Sequence, residues 1–129
     1  MDTKKYKVGI AWGCWDGLTS AHIEILKQAK DKCDYLIVGV SDDQYIRTHK
    51  WKNPILDFGT RMMIVSKLCD RVIPQSSYFT KEMAVKHFRP DVIFVGDEYE
   101  NKEWDGKKLG VNIEYIKHNN LIHSSDIKI

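Results

Sequence analysis

Apolar residues concentrate in five short runs, and the pattern predicts strands over residues 6–12, 35–40, 71–73, 91–95 and 112–116. The second run, Tyr35-Leu36-Ile37-Val38-Gly39-Val40, and the fourth, ending in Val92-Ile93-Phe94-Val95, are continuous rather than alternating, as in strands covered on both faces. Between the runs the spacing turns helical. Over 21–32, Ile25 or Leu26, Ala29 and Cys33 fall near one face, with Glu24, Lys27, Lys30 and Asp31 opposite. A second amphipathic helix is expected over 57–69 with Asp57 as its cap, and a third over 79–88, ended by Arg89-Pro90. Residues 41–57 lose the apolar period and gather Arg47, His49, Lys50 and Lys52, ending at Asn53-Pro54, so this stretch is expected to be a long functional loop. Residues 98–108 are polar, and 122–129 reads as a capped helix start.

Strands alternating with helices imply βαβ units, and right-handed crossovers then give an α/β fold: a five-stranded parallel sheet with helices on both faces. In such sheets ligands bind beyond the carboxyl ends of the strands. A length of 129 residues is that of one domain, 1–129, able to bury a core without staples. The net charge of +2 offers no basic field for duplex nucleic acid or an anionic membrane, so anion binding has to be local. Three cysteines without a C-x-x-C pair suit a reducing compartment, and a cytoplasmic location is expected. No apolar run has the roughly 18 residues of a membrane span.

The local anion site is legible between the first strand and the first helix. Gly13-Cys14-Trp15-Asp16-Gly17-Leu18-Thr19-Ser20 is a tight polar loop feeding a helix that opens at Ala21-His22. A helix N-terminus carries unpaired N–H groups and the positive end of the dipole, a ready site for phosphate. Thr19 or Ser20 can cap this helix, and His22 projects into the same space. Trp12, Trp51 and Trp104 read as packing residues or loop anchors, and His49 and His87 as surface residues.

Four segments in this order resemble the small nucleotidylyltransferases of Rossmann-like fold. Gly13-Cys14-Trp15-Asp16 is similar to that superfamily's G-[TS]-F-D, Thr19-Ser20-Ala21-His22 to its [HT]-x-G-H, Arg61 to the arginine opening the next helix, and Ile122-His123-Ser124-Ser125 to its C-terminal I-S-[ST]-[ST]. Length and Val95-Gly96-Asp97-Glu98-Tyr99, similar to G-D-D-W, resemble the glycerol-3-phosphate cytidylyltransferases. Residues 99–108, with Tyr99, Glu103, Gly106 and Lys108, resemble adenylyltransferases acting on heptose phosphates. The chain departs from the pattern at Ala21, where the motif has glycine, at Thr19, where the cytidylyltransferase form has histidine, and at His118, which stands roughly where an arginine is usual.

The resemblance implies transfer of CMP from CTP to a small phosphorylated alcohol such as glycerol 3-phosphate, with release of pyrophosphate. Adenylyl transfer to a heptose-like phosphate and a catalytically impaired nucleotide-binding module are the alternatives. It implies that His22 and Thr19 donate to the nucleotide's phosphates, that Lys50 or Lys52 reaches in from the loop, and that Arg61 pairs with phosphate in the same cleft. Gly13, Cys14, Trp15, Asp16, Gly96, Asp97, His118, Ser124 and Ser125 would complete the nucleotide site, with Asp16 ordering the loop or assisting in metal placement rather than acting as a base. No residue is assigned as a dedicated metal ligand. Mg2+ would come with the triphosphate, the partners would be CTP or ATP and a phosphomonoester, and the expected assembly is a homodimer.

Overall fold

The computed structural model describes residues 4–118. Its strands are β1 (Tyr6–Gly13), β2 (Cys33–Ser41), β3 (Arg71–Gln75), β4 (Val92–Gly96) and β5 (Asn112–Ile116), and they form one sheet in the order β3-β2-β1-β4-β5. Every pairing is parallel, from Val8 opposite Tyr35 through Gly96 opposite Ile116, as the continuous apolar runs required. The helices are α1 (Ser20–Lys32), α2 (Asp43–Lys50), α3 (Phe58–Ser66) and α4 (Lys81–Phe88), with a 3-10 turn at Asp97–Tyr99.

Alternation along each strand feeds two cores. Ala11, Leu36, Val38, Val92 and Phe94 point to one face, where Leu26 and Ala29 of α1 and Val65 of α3 cover them. Ile10, Ile37, Ile73 and Ile93 point to the other, where Ala84 and Phe88 of α4 and the stretch carrying Trp104 and Leu109 pack. Close packing forces small residues into the strands. A Cβ on Gly9 would lie 2.4 Å from the Phe94 ring, and one on Gly39 would lie 2.1 Å from the Trp12 indole.

The stretch 41–57 is not one long loop, because eight of its residues form α2. The Asp42 side chain accepts from the Tyr45 N–H at 2.7 Å, Asp43 lies in the first turn, and Arg47, His49 and Lys50 lie in the last. Cap and charges all follow the helix dipole. Apolar period is missing because only Ile46 of the helix is buried, and polar contacts of Asp43 with Arg61 and of Tyr45 with Gln75 supply the rest of its anchoring. Trp51, expected to pack, is 92% exposed and ends α2 in the left-handed region at φ 58°. The expected helix start at 122–129, with His123, Ser124 and Ser125, lies outside the described residues. Among those described, no helix is long and apolar enough to cross a membrane.

Candidate active site

A cavity of about 730 Å3 opens over the carboxyl ends of the strands. The sheet order changes direction at β1, where β2 lies on one side and β4 on the other, and this switch point is where open α/β sheets take ligands. The loop after β1 and the first residues of α1 form its floor, with Gly13, Cys14, Trp15, Asp16, Ala21 and His22 all on the lining.

Thr19 and His22 are tied together at the start of α1. The His22 N–H donates to Thr19 Oγ1 at 3.5 Å, and the Thr19 N–H donates to His22 Nδ1 at 3.3 Å, a capping box with histidine in the place usually held by glutamate. A ring nitrogen that accepts carries no proton, so the neutral ring carries its proton on Nε2, which makes Nε2 the donor. The Trp15 indole meets the imidazole edge-on, with centroids 5.5 Å apart, and is itself fixed by donating from Nε1 to the Gly39 carbonyl at 3.0 Å. Thr19 is buried and does not line the cavity; it acts there through His22.

Asp16 orders the loop, as expected. Its carboxylate accepts from the N–H groups of Ile55 and Leu56 at 2.8 and 2.9 Å, drawing the stretch after α2 against the anion loop. Lys52, on that stretch, and Lys50, the last residue of α2, both line the cavity.

Arg61 does not face the cleft. Its side chain is 0% exposed and absent from the lining. Nε donates to the Leu56 carbonyl at 2.9 Å, Nη1 to those of Cys14 and Ser41 at 2.7 and 2.6 Å, and Nη2 pairs with the Asp43 carboxylate. Helical position alone does not fix the direction of the side chain: α3 opens beside the site, but the carbonyls of Cys14, Ser41 and Leu56 converge behind the loop, and a planar guanidinium with five donors matches them. Arg61 still shapes the anion loop. A trans peptide points its C=O and the next N–H in opposite directions, so the grip on Cys14 turns the Trp15 N–H away from the guanidinium.

On the far side of β1, Gly96, Glu98, Tyr99 and His118 line the wall, while Asp97 stands behind it. His118 is buried, and its Nε2 lies 2.9 Å from Glu98 Oε1 and 3.5 Å from Asp97 Oδ1. One ligand atom from each of the three residues falls within 4.8 Å of the others, a grouping that the sequence reading did not single out. Gly96 leaves room for this grouping: a Cβ there would meet Glu98 Oε1 at 1.9 Å and His118 Nε2 at 2.7 Å, so the Glu98 carboxylate or the His118 ring would have to shift.

The lining also holds residues missed by sequence reasoning: Tyr45, Gln75, Lys81, Trp104 and Asp105. Burial raises the pKa of the Tyr45 phenol and keeps it protonated at neutral pH, and its oxygen accepts from Gln75 Nε2 at 3.3 Å. Lys81 could have been found from the sequence, because Thr80-Lys81 opens a helix after a strand, the same signal that marked His22.

A glycerol-3-phosphate cytidylyltransferase of Staphylococcus aureus is 34% identical over 92% of this chain and 90% of its own length, and the Bacillus subtilis protein of that name is 30% identical over 92% of each. The bifunctional protein HldE of Helicobacter hepaticus is 33% identical over 89% of this chain, which spans 24% of that longer protein. Among solved structures, a lipopolysaccharide core biosynthesis protein from Thermoplasma volcanium matches with a TM-score of 0.69 at 29% identity, over 87% of this chain and 95% of that one. Residues 10–128 match the cytidylyltransferase-like family, and with these relatives over nearly its whole length the chain belongs to that family of nucleotidyltransferases.

Proposed function

We propose that the protein transfers a cytidylyl group from CTP to a small phosphorylated alcohol, with glycerol 3-phosphate as the first acceptor to test. An oxygen of the acceptor phosphate attacks the α-phosphorus, the bond from that phosphorus to the bridging oxygen breaks, and pyrophosphate leaves with the electron pair. Charge grows on the leaving group and the non-bridging oxygens, so catalysis is mainly positioning and electrostatic stabilisation. The observation that carries the reading is His22, held by Thr19 and Trp15 so that Nε2 is its donor at the floor of the cavity. Lys50 and Lys52 neutralise the triphosphate in this scheme, and Gly96, Glu98 and His118 receive the nucleoside.

Mg2+ belongs to the proposal as part of the nucleotide substrate. It keeps most of its ligands as phosphate oxygens and water and needs only one or two carboxylates. Glu98, on the lining, can supply one such carboxylate. Ser124 and Ser125 are proposed to bind the outer phosphates, and the working form to be a cytoplasmic homodimer.

Adenylyl transfer to a heptose-like phosphate is the second reading, favoured by the place of the 99–108 segment, whose Tyr99, Trp104 and Asp105 form cavity wall. Pyrophosphate release measured with CTP and ATP, each against glycerol 3-phosphate and a heptose 1-phosphate, separates the readings. Turnover is expected with CTP and glycerol 3-phosphate and is expected to vanish in His22→Ala. Turnover with no pair, while nucleotide still binds, would overturn the catalytic reading in favour of an impaired binding module.

A further inference from the structure

Tyr45 lines the cavity and carries a hydroxyl that packing does not need. Its ring stacks on His49, one turn further along α2, with centroids 3.9 Å apart and an angle of 19° between the planes. His49 is fixed in turn: the Tyr45 carbonyl can only accept, so Nδ1, 3.0 Å away, carries the proton. A phenylalanine would stack as well. What the hydroxyl adds is one bond received from Gln75 Nε2 at 3.3 Å, and among the described residues its own proton meets no acceptor.

A buried relay sets the direction of that bond. Ser41 and Gln75 lie opposite each other at the ends of β2 and β3, 2% and 3% exposed, and the Ser41 hydroxyl donates to Gln75 Oε1 at 3.0 Å. With its amide oxygen so occupied, Gln75 presents its nitrogen to the phenol. The phenol oxygen accepts, and the phenol hydrogen is left for the cavity that the side chain lines. Burial, the Asp105 carboxylate and the Cys14 thiol, in that order, raise the Tyr45 pKa, so the group stays a donor at neutral pH.

The same clamp that shapes the anion loop holds this relay. Arg61 Nη1 donates to the carbonyls of Ser41 and Cys14 at 2.6 and 2.7 Å, so one nitrogen locks the strand end that starts the relay beside the loop. The phenol, acted on by both Cys14 and Asp105, stands between the loop and the stretch that carries Asp105. A hydroxyl whose oxygen already accepts and whose proton is unspent suits a partner that only accepts, and a phosphate oxygen is such a partner. In the nucleotidyl-transfer reading the phosphate on the anion loop is the α-phosphate, whose non-bridging oxygens gather charge as pyrophosphate leaves.

We propose that Tyr45 is a directed phosphate donor: its hydroxyl donates to a non-bridging oxygen of the phosphate on the anion loop, and Gln75 is the positioning residue that turns it there. This rests on the nucleotidyl-transfer reading and adds a contact from α2 to it. The test compares Tyr45→Phe, Gln75→Met and the double variant with the parent. It uses pyrophosphate release with CTP and glycerol 3-phosphate, and calorimetric binding of CTP, CMP, cytidine and pyrophosphate. CMP carries only the phosphate in question, and cytidine carries none. Where the parent turns over ATP instead, AMP and adenosine take their places.

Tyr45→Phe is expected to weaken CTP and CMP about tenfold, to leave cytidine and pyrophosphate within about twofold, and to lower kcat/KM for CTP at least about tenfold. Gln75→Met is expected to cost about threefold on CTP and CMP and nothing further in the Tyr45→Phe background, since Gln75 acts through the phenol. Unchanged CMP binding and kcat/KM in Tyr45→Phe, with the parent active, would overturn the donor and leave the reaction standing. A loss that falls equally on cytidine, or on pyrophosphate in place of CMP, would overturn the donor's placement on this phosphate. Additive losses in the double variant would overturn the role of Gln75. CMP binding weakened in Tyr45→Phe, in a parent that transfers nothing, would overturn the reaction and leave the donor. A parent that binds no nucleotide would overturn both.

Discussion

Arg61→Ala is expected to unfold the site rather than empty it. The substitution removes four donor contacts from a wholly buried guanidinium and leaves the carbonyls of Leu56, Cys14 and Ser41 and the Asp43 carboxylate to find other partners. A buried polar group left unsatisfied costs about 1–3 kcal/mol, and loss of the ion pair adds less than the about 3–5 kcal/mol of a fully buried pair, because the Asp43 side chain is 30% exposed. These costs overlap, since water entering the vacated space would satisfy part of the set, so about 3–5 kcal/mol is expected in total. For a chain of this length each kcal/mol shifts the melting temperature by about 4 °C, giving a fall of roughly 12–20 °C. Arg61→Lys keeps the charge, but one ammonium cannot span acceptors arranged around a plane, so about half the loss is expected to remain. Thermal and urea unfolding, paired with CTP binding well below the melting temperature, read both quantities. A melting temperature within about 3 °C of the parent together with a tenfold loss of CTP affinity would refute the clamp and put Arg61 on the nucleotide.

Asp16→Ala is expected to free the Ile55 and Leu56 N–H groups, costing about 1–2 kcal/mol and opening the stretch after α2 to protease; cleavage no faster than in the parent would show that other contacts hold it. The acid limb of stability has named sources. Burial alone would raise the Glu114 carboxyl, but hydrogen bonds from Lys32, Lys5 and Tyr6 outweigh it and hold the pKa below the ordinary 4.5; at Asp70, burial is likewise outweighed by Lys30 and the Leu36 N–H, below 3.8. A carboxyl depressed by folding contributes stability present above its unfolded pKa and lost as pH falls through the folded value. Stability is therefore expected to fall below about pH 4.5, and the Glu114→Gln, Asp70→Asn pair to flatten that limb in urea titrations. An unchanged acid slope would assign it to other carboxylates.

The sheet was legible because each of its strands announces itself locally. Continuous runs such as Leu36-Ile37-Val38 require cover on both faces, and the helical spacing of Ile25, Leu26 and Ala29 supplies half of that cover. The α2 helix was not legible, because its stability comes from capping and charge placement around a single buried residue, Ile46, and periodicity detects only burial. Arg61 was legible as a residue near the site but not in its direction. Which way a side chain turns at a helix start depends on where unsatisfied carbonyls lie, and here they come from positions 14, 41 and 56, which nothing in the linear sequence joins. Asp105 was missed for a related reason, since its pairing with Lys81 crosses 24 residues of chain, whereas Lys81 carried the local signal of a helix start.

Asp16 and Arg61 together explain how an anion site can be built beside a carboxylate and a buried cation without depending on either charge. Each is spent on the backbone: Arg61 takes carbonyl oxygens and Asp16 takes amide N–H groups, so the two ends of the peptide dipole around the loop are satisfied from opposite sides. With the Cys14 carbonyl held back by Arg61, the Trp15 N–H points the other way, and the Asp16 carboxylate, turned toward residues 55 and 56, repels an incoming phosphate less than one aimed into the cavity. The positive character of the floor then comes from amides, the α1 dipole and His22, all fixed before any ligand arrives, so phosphate binding requires little reorganisation there. Of the exposed lysines, Lys52 stands on the very stretch that Asp16 tethers, and Lys50 closes α2 just before it. A change at Asp16 therefore acts on the floor and on those cations at once, whereas a change at Lys50 or Lys52 leaves the floor as it was.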